Sequence, residues 1–362
     1  MSTEELLGIA GLAVGEAALV VGGPPCTPFS KSGNWLEYKR TGRDPEASLL
    51  DEFARVVAEA RPAAALMENV WGLAYKNHNM VPLHRLITKL ELAGYGVAWK
   101  VLNAADYGVP QLRKRMILYA TLGRTPPAFP AATHSGWTET SRKVDQSLTP
   151  YVTSLDAIGD LEKRVDLAEA DELVNGQYGH LLPAIPAGEN YLFYTQERGY
   201  PAPLFKWRSR YWTFLLKLDP ARPSTTIQSQ PGPYIGPFHW RNRRLRLLET
   251  KRLQTFPDDY VVIANSRRSW QNQLGNAVPP VLAEIVALPL ANTLMPKGSG
   301  RSVSAGPGAV NDRGPLLTSG SADLQFLHAD HHPDGELRDE PSGVACFRGG
   351  AGEERDSVGL HP

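Results

Sequence analysis

Short apolar runs alternate with amphipathic helical patterns through the first 123 residues, and this alternation restricts the fold more than any other feature. Apolar runs predict strands at 17–22, 63–67, 97–102 and 116–120, and helical spacing predicts helices at 48–60 and 82–93. Strands separated by helices form a parallel sheet with helices on its faces. The sequence therefore predicts an α/β fold with a doubly wound sheet, whose ligands bind at the carboxyl ends of the strands.

The regular alternation divides the chain into an α/β part and a smaller irregular part. We expect the first part to occupy residues 1–123 and to be completed by residues 241–294, where helical patterns return. Residues 124–240 are interrupted by Pro and Gly and rich in aromatic residues, which predicts a separate, smaller domain. Residues 295–362 contain 12 glycines and little apolar periodicity, so we expect a disordered tail.

The composition excludes several classes of protein. Hydrophobic residues make up 42% of the 362 residues, as in a folded globular chain. Two cysteines, Cys26 and Cys346, are too few to stabilise a secreted disulfide scaffold. No basic signal-peptide region precedes the first strand, and no apolar run approaches the ~18 residues of a membrane span. We therefore expect a cytoplasmic protein without a membrane segment.

The net charge of zero conceals an uneven distribution along the chain. Residues 206–252 contain 11 Lys and Arg against 2 acidic residues. A polyanion meets the local charge of a surface, not the average of the molecule. This segment therefore predicts a nucleic-acid-binding patch. Four aromatic residues are interleaved with its cations, and we expect about half of them to lie in the core: Trp207, Tyr211, Trp212 and Trp240.

Three segments predicted to meet at one edge of the sheet carry reactive side chains. The Pro24-Pro25 pair after the first strand is expected to expose Cys26 as a nucleophilic thiolate, although a lone Cys is more often a small core residue. Glu68 ends the second strand, either as an acid or as a helix cap. The basic run 111–115 reaches the same edge if the following strand returns antiparallel; otherwise it is a solvated charge run. No metal site is predicted.

These segments resemble the motifs of the C5-cytosine-specific DNA methyltransferases. Gly-Gly-Pro-Pro-Cys at 22–26 is similar to the nucleophile motif of that family, Glu-Asn-Val at 68–70 to its acid motif, and Gln111-x-Arg113-x-Arg115 to its arginine motif. Residues 252–257 and 273–280 resemble two later motifs. The resemblance spans 22–291 in the order of the family. It implies a Rossmann-like methyltransferase sheet, a target-recognition domain at 124–240, and a role in DNA methylation and restriction–modification.

The resemblance also implies a reaction. A cytosine flipped out of double-stranded DNA would receive the methyl group of S-adenosylmethionine on C5 while Cys26 is bonded to C6. Glu68 would hold or supply the proton at N3, Arg115 would contact the base, and Arg113 would orient Glu68. Two further sets of contacts are implied: to the cofactor from Pro25, Leu49, Asn276 and Val278, and to DNA from Thr27, Ser30 and Gln111.

One part of the family pattern is expected to be absent. Gly8, Gly11 and Gly15 do not follow an apolar strand, so they are interpreted as linker and not as the Gly-rich cofactor loop. The chain alone would then bind the cofactor weakly. Three explanations stay open: a start site placed too far downstream, a second chain that supplies the missing half, and a decayed copy. The alternative functions are a non-catalytic DNA-binding remnant and methylation of RNA.

Overall fold

The computed structural model describes residues 1–25, 49–75, 77–136, 144–207 and 211–294, all within one unit, Met1–Ser319. Its α-helices are α1 (Thr3–Ala10), α2 (Leu49–Ala60), α3 (Asn77–Leu92), α4 (Ser154–Ile158), α5 (Leu247–Leu253), α6 (Arg267–Asn276) and α7 (Pro280–Leu294). Its strands are β1 (Leu19–Gly22), β2 (Ala64–Val70), β3 (Tyr95–Asn103), β4 (Gln111–Leu112), β5 (Lys114–Leu122), β6 (His134–Ser135), β7 (Thr149–Pro150) and β8 (Ser224–Thr225). The proposed nucleophile Cys26, the proposed DNA contacts Thr27 and Ser30, and the predicted tail at 295–362 lie outside the described residues.

The four long strands form one mixed sheet in the order β1–β2–β5–β3. β1 is parallel to β2, whereas β5 is antiparallel to both β2 and β3. The antiparallel return of the last strand is therefore confirmed. It has one important consequence, because the start of β5 now lies at the edge where β1 and β2 end. Val70, the last residue of β2, is directly opposite Arg115 of β5.

Helices cover both faces of this sheet, as an α/β fold requires. One face is covered by α2 and α3, whose buried residues are at the predicted helical spacing: Leu50, Phe53 and Val57 of α2, and Leu83, Leu86 and Leu90 of α3. The other face is covered by α7, through Leu282, Val286 and Leu290. Each such side chain contributes about 1.5–3 kcal/mol when it is fully buried. Packing on the sheet therefore fixes the positions of these three helices.

The apolar helix α7 also accounts for a membrane-like signal in the sequence. Arg267–Leu294 is the one stretch of the described residues that is long and apolar enough to cross a membrane by length and composition. In the fold this stretch contains two helices, α6 and α7, which are separated at residues 277–279. Because the buried side chains of α7 pack under the sheet, its high hydropathy is explained by the core.

Residues 3–10 form the helix α1, so the interpretation of this region as linker is wrong. The Ser2 hydroxyl accepts a hydrogen bond from the backbone N–H of Glu5 at 3.1 Å, and the Glu5 carboxylate accepts one from the backbone N–H of Ser2 at 2.7 Å. This reciprocal pair is a capping box. Gly11 ends the helix at a φ of 65°, in the left-handed region that favours glycine. Gly8 and Gly11 are therefore parts of a helix and its cap.

Residues 144–240 are irregular, as predicted, and enclose an aromatic core of their own. Short helical turns and isolated bridges replace long elements in this segment. The ring of Tyr178 packs edge-on against those of Phe214 and Tyr234, with centroids 5.3 and 5.2 Å apart. Buried residues around these rings include Tyr191, Tyr194, Leu215 and Phe238.

Most described cations of the predicted nucleic-acid patch are used inside the fold. Five form ion pairs: Arg222 with Asp219, Arg241 with Glu162, Arg243 with Glu249, Arg246 with Glu172, and Arg252 with both Asp160 and Asp258. Three donate to backbone or amide oxygens: Lys217, Arg244 and Lys251. The acidic segment 160–172 supplies several of the carboxylates. Charge counted along the chain misses these partners, so the excess of positive charge at 206–252 is smaller in the fold than in the sequence. Binding of nucleic acid by this segment stays a prediction.

The most deeply buried of these pairs lies at the start of α5. Both oxygens of Glu249 accept hydrogen bonds from the Arg243 guanidinium, at 2.6 and 2.8 Å, and Glu249 is fully buried. The His239 ring lies beside them, with its Nε2 3.6 Å from Oε1 of Glu249. Burial first, and then the charge of Arg243, lowers the pKa of His239 to about 3. The ring is therefore neutral near pH 7, and its contact with Glu249 is not an ion pair.

His239 is expected to make the protein less stable as the pH falls. Its pKa is about 3 in the folded chain and 6.5 for the unperturbed group, so the unfolded chain takes up this proton first. The free energy of unfolding should therefore decrease between about pH 6.5 and pH 3, by up to ~1.4 kcal/mol per pH unit from this residue. Urea unfolding at several pH values should show a shallower decrease in His239→Gln. The exposed His84, changed to Gln, is the control; equal slopes for the unaltered chain and His239→Gln would contradict the assignment.

Candidate active site

Glu68 and Arg115 form an ion pair at the edge where β1 and β2 end. The Nε of Arg115 is 2.7 Å from Oε1 of Glu68, and the two side chains are 11% and 21% exposed. Glu68 and Val70 point to the same face of β2, and Val70 is paired with Arg115. Arg115 therefore reaches diagonally across the strands to the carboxylate. The pair holds Glu68 in one orientation and leaves it partly accessible to a ligand.

Asn69 joins the end of β1 to the end of β2. Its Nδ2 donates a hydrogen bond to the carbonyl oxygen of Pro24 at 3.1 Å, and its Oδ1 accepts one from the backbone N–H of Val70 at 2.9 Å. Asn69 is 1% exposed, so both bonds are shielded from water. Asn69 belongs to the Glu-Asn-Val motif, but the motif alone predicts no role for it. Its amide fixes the path of the backbone that leads to Cys26.

The same loop runs directly past the carboxylate. Oε2 of Glu68 lies 3.8 Å from where a Cβ on Gly23 would be. A Cβ on Gly22 would lie 2.6 Å from the ring of Phe53 in α2, so only glycine fits between β1 and this helix. The end of β1 is thus held by Phe53 on one side and by β2 on the other. The predicted acid, Glu68, therefore lies next to Gly23, which precedes the predicted nucleophile Cys26 by three positions in the chain.

The structure places Arg113 away from the role implied for it. The ion pair with Glu68 belongs to Arg115, so the expectation that Arg113 orients Glu68 is wrong. Arg113 is 1% exposed, and its guanidinium donates to three backbone carbonyls: Gly275 at 2.7 Å, Ala277 at 2.9 Å and Ile227 at 3.2 Å. Arg113 therefore clamps the start of β5 to α6 and to the segment after β8. Arg113 lies between β4 and β5, whereas Arg115 is part of β5.

Gln111 was expected to contact DNA and is instead fully buried. Its Oε1 accepts a hydrogen bond from the backbone N–H of Ile227 at 3.1 Å, and its Nε2 donates to Leu253 and Gln254 at 3.2 Å each. Gln254 in turn donates to the carbonyl of Leu274 at 2.6 Å. The assignment of Gln111 as a DNA contact is therefore wrong. It links the arginine motif to the two later motifs.

The four residues implied in cofactor binding approach the same edge. Pro25 is exposed beyond the end of β1, and Leu49 is the first residue of α2, which begins at that edge because it runs antiparallel to the strands. The clamp by Arg113 brings Asn276 and Val278 near the start of β5. The Asn276 amide is exposed and Val278 is partly buried, so these residues offer polar and apolar surface. This set fits one side of a ligand with polar and apolar parts.

No group of three or more His, Cys, Asp or Glu side chains that could hold a metal ion occurs in the part of the chain that the structure describes. The chemistry at this edge is that of an oriented carboxylate, its arginine partner and a rigid loop. A carboxylate held in this way can exchange a proton with a bound base.

Comparison with known proteins identifies the family. A sequence model described as C-5 cytosine-specific DNA methylase matches residues 9–291 of the chain. The chain belongs to this family. The matched range contains β1, the Glu68–Arg115 pair and the two later motifs, so the resemblance of the motifs is confirmed.

The relatives of the chain are type II methyltransferases. It is 48% identical over 302 residues to Type II methyltransferase M.SacI of Streptomyces achromogenes, which covers 81% of this chain and 76% of that protein. It is 33% identical over 272 residues to M1.HphI of Haemophilus parahaemolyticus, which covers 74% of this chain and 67% of that protein. These relationships identify the chain as a DNA methyltransferase, and they do not favour the alternative of a non-catalytic remnant.

Solved structures agree on the fold. A crystal structure described as a DNA modification methyltransferase encoded within a prophage, from E. coli, matches with a TM-score of 0.50 and 20% identity. The match covers 81% of this chain and 84% of that chain. The α/β class with a mixed sheet is therefore confirmed.

Proposed function

We propose that this methyltransferase acts on C5 of a cytosine flipped out of double-stranded DNA, through a transient bond between Cys26 and C6 of the base. The observation that carries the proposal is the Glu68–Arg115 ion pair beside the loop that leads to Cys26. Base chemistry on DNA needs the base outside the stack, in a pocket that reads its edge. The edge formed by β1, β2 and β5 provides an acid and a cation for such a pocket.

The residues have complementary roles in this proposal. The Cys26 thiolate adds to C6, and Glu68 holds a proton at N3, so that electrons of the ring move to C5. Arg115 keeps Glu68 oriented and faces the base. After C5 has gained a methyl group, loss of its proton restores the C5–C6 double bond and expels the Cys26 thiolate. The bond between Cys26 and C6 is therefore formed and broken within one catalytic cycle.

S-adenosylmethionine supplies the methyl group when it is bound. We propose that Pro25, Leu49, Asn276 and Val278 contact one side of it. Within the described residues β1 is an edge strand of the sheet, and its Val21 is 64% exposed. Edge strands offer unpaired backbone groups to another polypeptide. We propose that a second chain pairs here and completes the cofactor site.

The proposed reaction also assigns a role to each part of the chain. Residues 1–123 and 241–294 are proposed to be the catalytic domain, and residues 124–240 the target-recognition domain. Thr27 and Ser30 are proposed to contact DNA from the segment after Cys26. A cytoplasmic location is proposed because the relatives are bacterial methyltransferases, whose DNA lies in the cytoplasm.

Glu68→Gln is expected to slow formation of the covalent adduct on DNA that contains a mechanism-based cytosine analogue. The amide cannot hold or deliver the proton at N3, and loss of a general acid costs on the order of a hundredfold or more. Adduct formation is followed by the gel shift of the protein–DNA species, with Glu59→Gln, an exposed glutamate at the far end of α2, as the matched control. An unaltered chain that forms no adduct would contradict the proposed function. An unchanged rate in Glu68→Gln would contradict only the role of Glu68.

A further inference from the structure

Two tryptophans in the proposed recognition domain are exposed. Trp207 and Trp212 are each 43% exposed, whereas the other tryptophans that the structure describes are partly or fully buried: Trp71, Trp99, Trp240 and Trp270. Of the four aromatic residues singled out in the sequence, Tyr211 and Trp240 pack against buried clusters. The expectation that about half of them lie in the core is confirmed. Tryptophan combines a large apolar ring with an N–H donor, so it is frequent where proteins meet a partner.

The two exposed rings project from a rigid base. Next to them in the chain, Phe205 and Phe214 pack into the aromatic core with centroids 5.8 Å apart. The carbonyl oxygen of Trp212 accepts a hydrogen bond from the Asn190 amide at 2.6 Å. The core thus anchors the backbone at Trp212 and, through Phe205, the chain two residues before Trp207.

Two described cations near Trp207 in the chain, Arg198 and Lys206, are exposed. The segment 196–212 contains four Lys and Arg and one acidic residue, Glu197. The guanidinium carbon of Arg198 lies over the Trp207 ring at 6.0 Å from its centroid, and the Lys206 side chain is exposed. This contrasts with the arginines at 241–252, whose guanidinium groups are bonded within the fold. Arg198 and Lys206 thus offer positive charge next to the exposed ring of Trp207.

We propose that Arg198, Lys206, Trp207 and Trp212 form the surface with which this methyltransferase holds DNA beside its target cytosine. The inference rests on the proposed function and assigns its DNA contact to this segment in place of the larger basic run at 217–252. The cations would meet phosphates, and the rings would pack on bases or sugars that become accessible when a nucleotide leaves the stack. Stacking of this kind tolerates different sequences, so the surface supplies affinity.

The test is a titration of a fluorescein-labelled DNA duplex of mixed sequence with the full chain, followed by fluorescence anisotropy. The double variant Trp207→Ala/Trp212→Ala is expected to raise Kd by about tenfold or more. Arg198→Ala is expected to weaken binding and to reduce the slope of log Kd against log salt by about one. Thermal unfolding of each variant should match that of the unaltered chain, since the altered side chains are exposed.

Two controls distinguish this surface from exposed residues in general. Tyr260 is an aromatic residue with 51% exposure outside the segment, and Arg222 is an exposed arginine paired with Asp219. Tyr260→Ala and Arg222→Ala are expected to bind DNA as the unaltered chain does. Equal binding by the double variant, or equal weakening in the Tyr260 control, would overturn the inference. Failure of the unaltered chain to bind the duplex at all would instead contradict the proposed function.

Discussion

Cys26→Ser is expected to lower methyl transfer to below about one per cent of the rate of the unaltered chain, because a hydroxyl at neutral pH is a far weaker nucleophile than a thiolate. The loop before Cys26 is fixed by Asn69 and lies against Glu68, so the substitution should change the chemistry and not the geometry. The measurement is incorporation of labelled methyl groups from S-adenosylmethionine into DNA, with the proposed second chain present to complete the cofactor site.

Binding of DNA separates this effect from loss of the fold. Since serine differs from cysteine by one atom, the variant should bind a labelled duplex with a Kd close to that of the unaltered chain. Cys346, changed to Ser in the same way, is the matched control and should leave transfer unchanged. A Cys26→Ser variant that keeps more than a few per cent of the rate would remove Cys26 from the mechanism.

Glu249→Gln is expected to lower the free energy of unfolding by about 3–5 kcal/mol, because it leaves the buried Arg243 guanidinium without its counter-charge. The side chains of Arg243 and Glu249 are 7% and 0% exposed, so water cannot replace the lost partner. The backbone N–H of Arg246, which donates to the same carboxylate at 2.8 Å, also loses a charged acceptor. Urea unfolding followed by circular dichroism measures the change.

An exposed ion pair provides the comparison for this variant. Glu52 lies 2.9 Å from Arg55 on α2, with side chains 53% and 33% exposed. Because solvent screens such pairs, Glu52→Gln should change stability by less than about 1 kcal/mol. If Glu249→Gln and Glu52→Gln lower the free energy of unfolding by the same amount, burial does not explain the contribution of the Arg243–Glu249 pair to stability.

Local patterns were sufficient to predict the sheet and its helices. The buried positions of α2 and α3 recur at helical spacing, and each strand near the active site is a run of apolar residues, so the information lies within a few neighbouring residues. The antiparallel return of β5 was one of two alternatives that the sequence left open, and the structure confirms it. Once the strands were placed, the meeting of Glu68 with the basic run was a geometric consequence.

Roles that depend on distant partners could not be predicted. Gln111 and Arg113 looked like surface residues of a basic motif, yet their partners, such as Ile227 and Gly275, come from more than 100 positions further along the chain. The free charge of the basic run was overestimated for a similar reason, since three of its six carboxylate partners come from 160–172. Helix α1 was different, because its Ser2–Glu5 capping box lies within four neighbouring residues, yet the glycines led to the interpretation as linker. Helix α6 was missed because few of its residues are apolar.

The ion pairs between residues 160–172 and residues 241–252 limit how this enzyme can acquire a new DNA target. Exchanging the whole segment 124–240 with that of a relative would separate Arg241, Arg246 and Arg252 from the carboxylates of Glu162, Glu172 and Asp160. Arg246 and Glu172 are only 7% and 16% exposed, so a foreign segment would have to supply a carboxylate in the same place. If only residues between 173 and 240 are exchanged, both partners of each of these ion pairs still come from this chain. If residues 124–240 are the target-recognition domain, as proposed, new specificity is most easily inherited through residues 173–240.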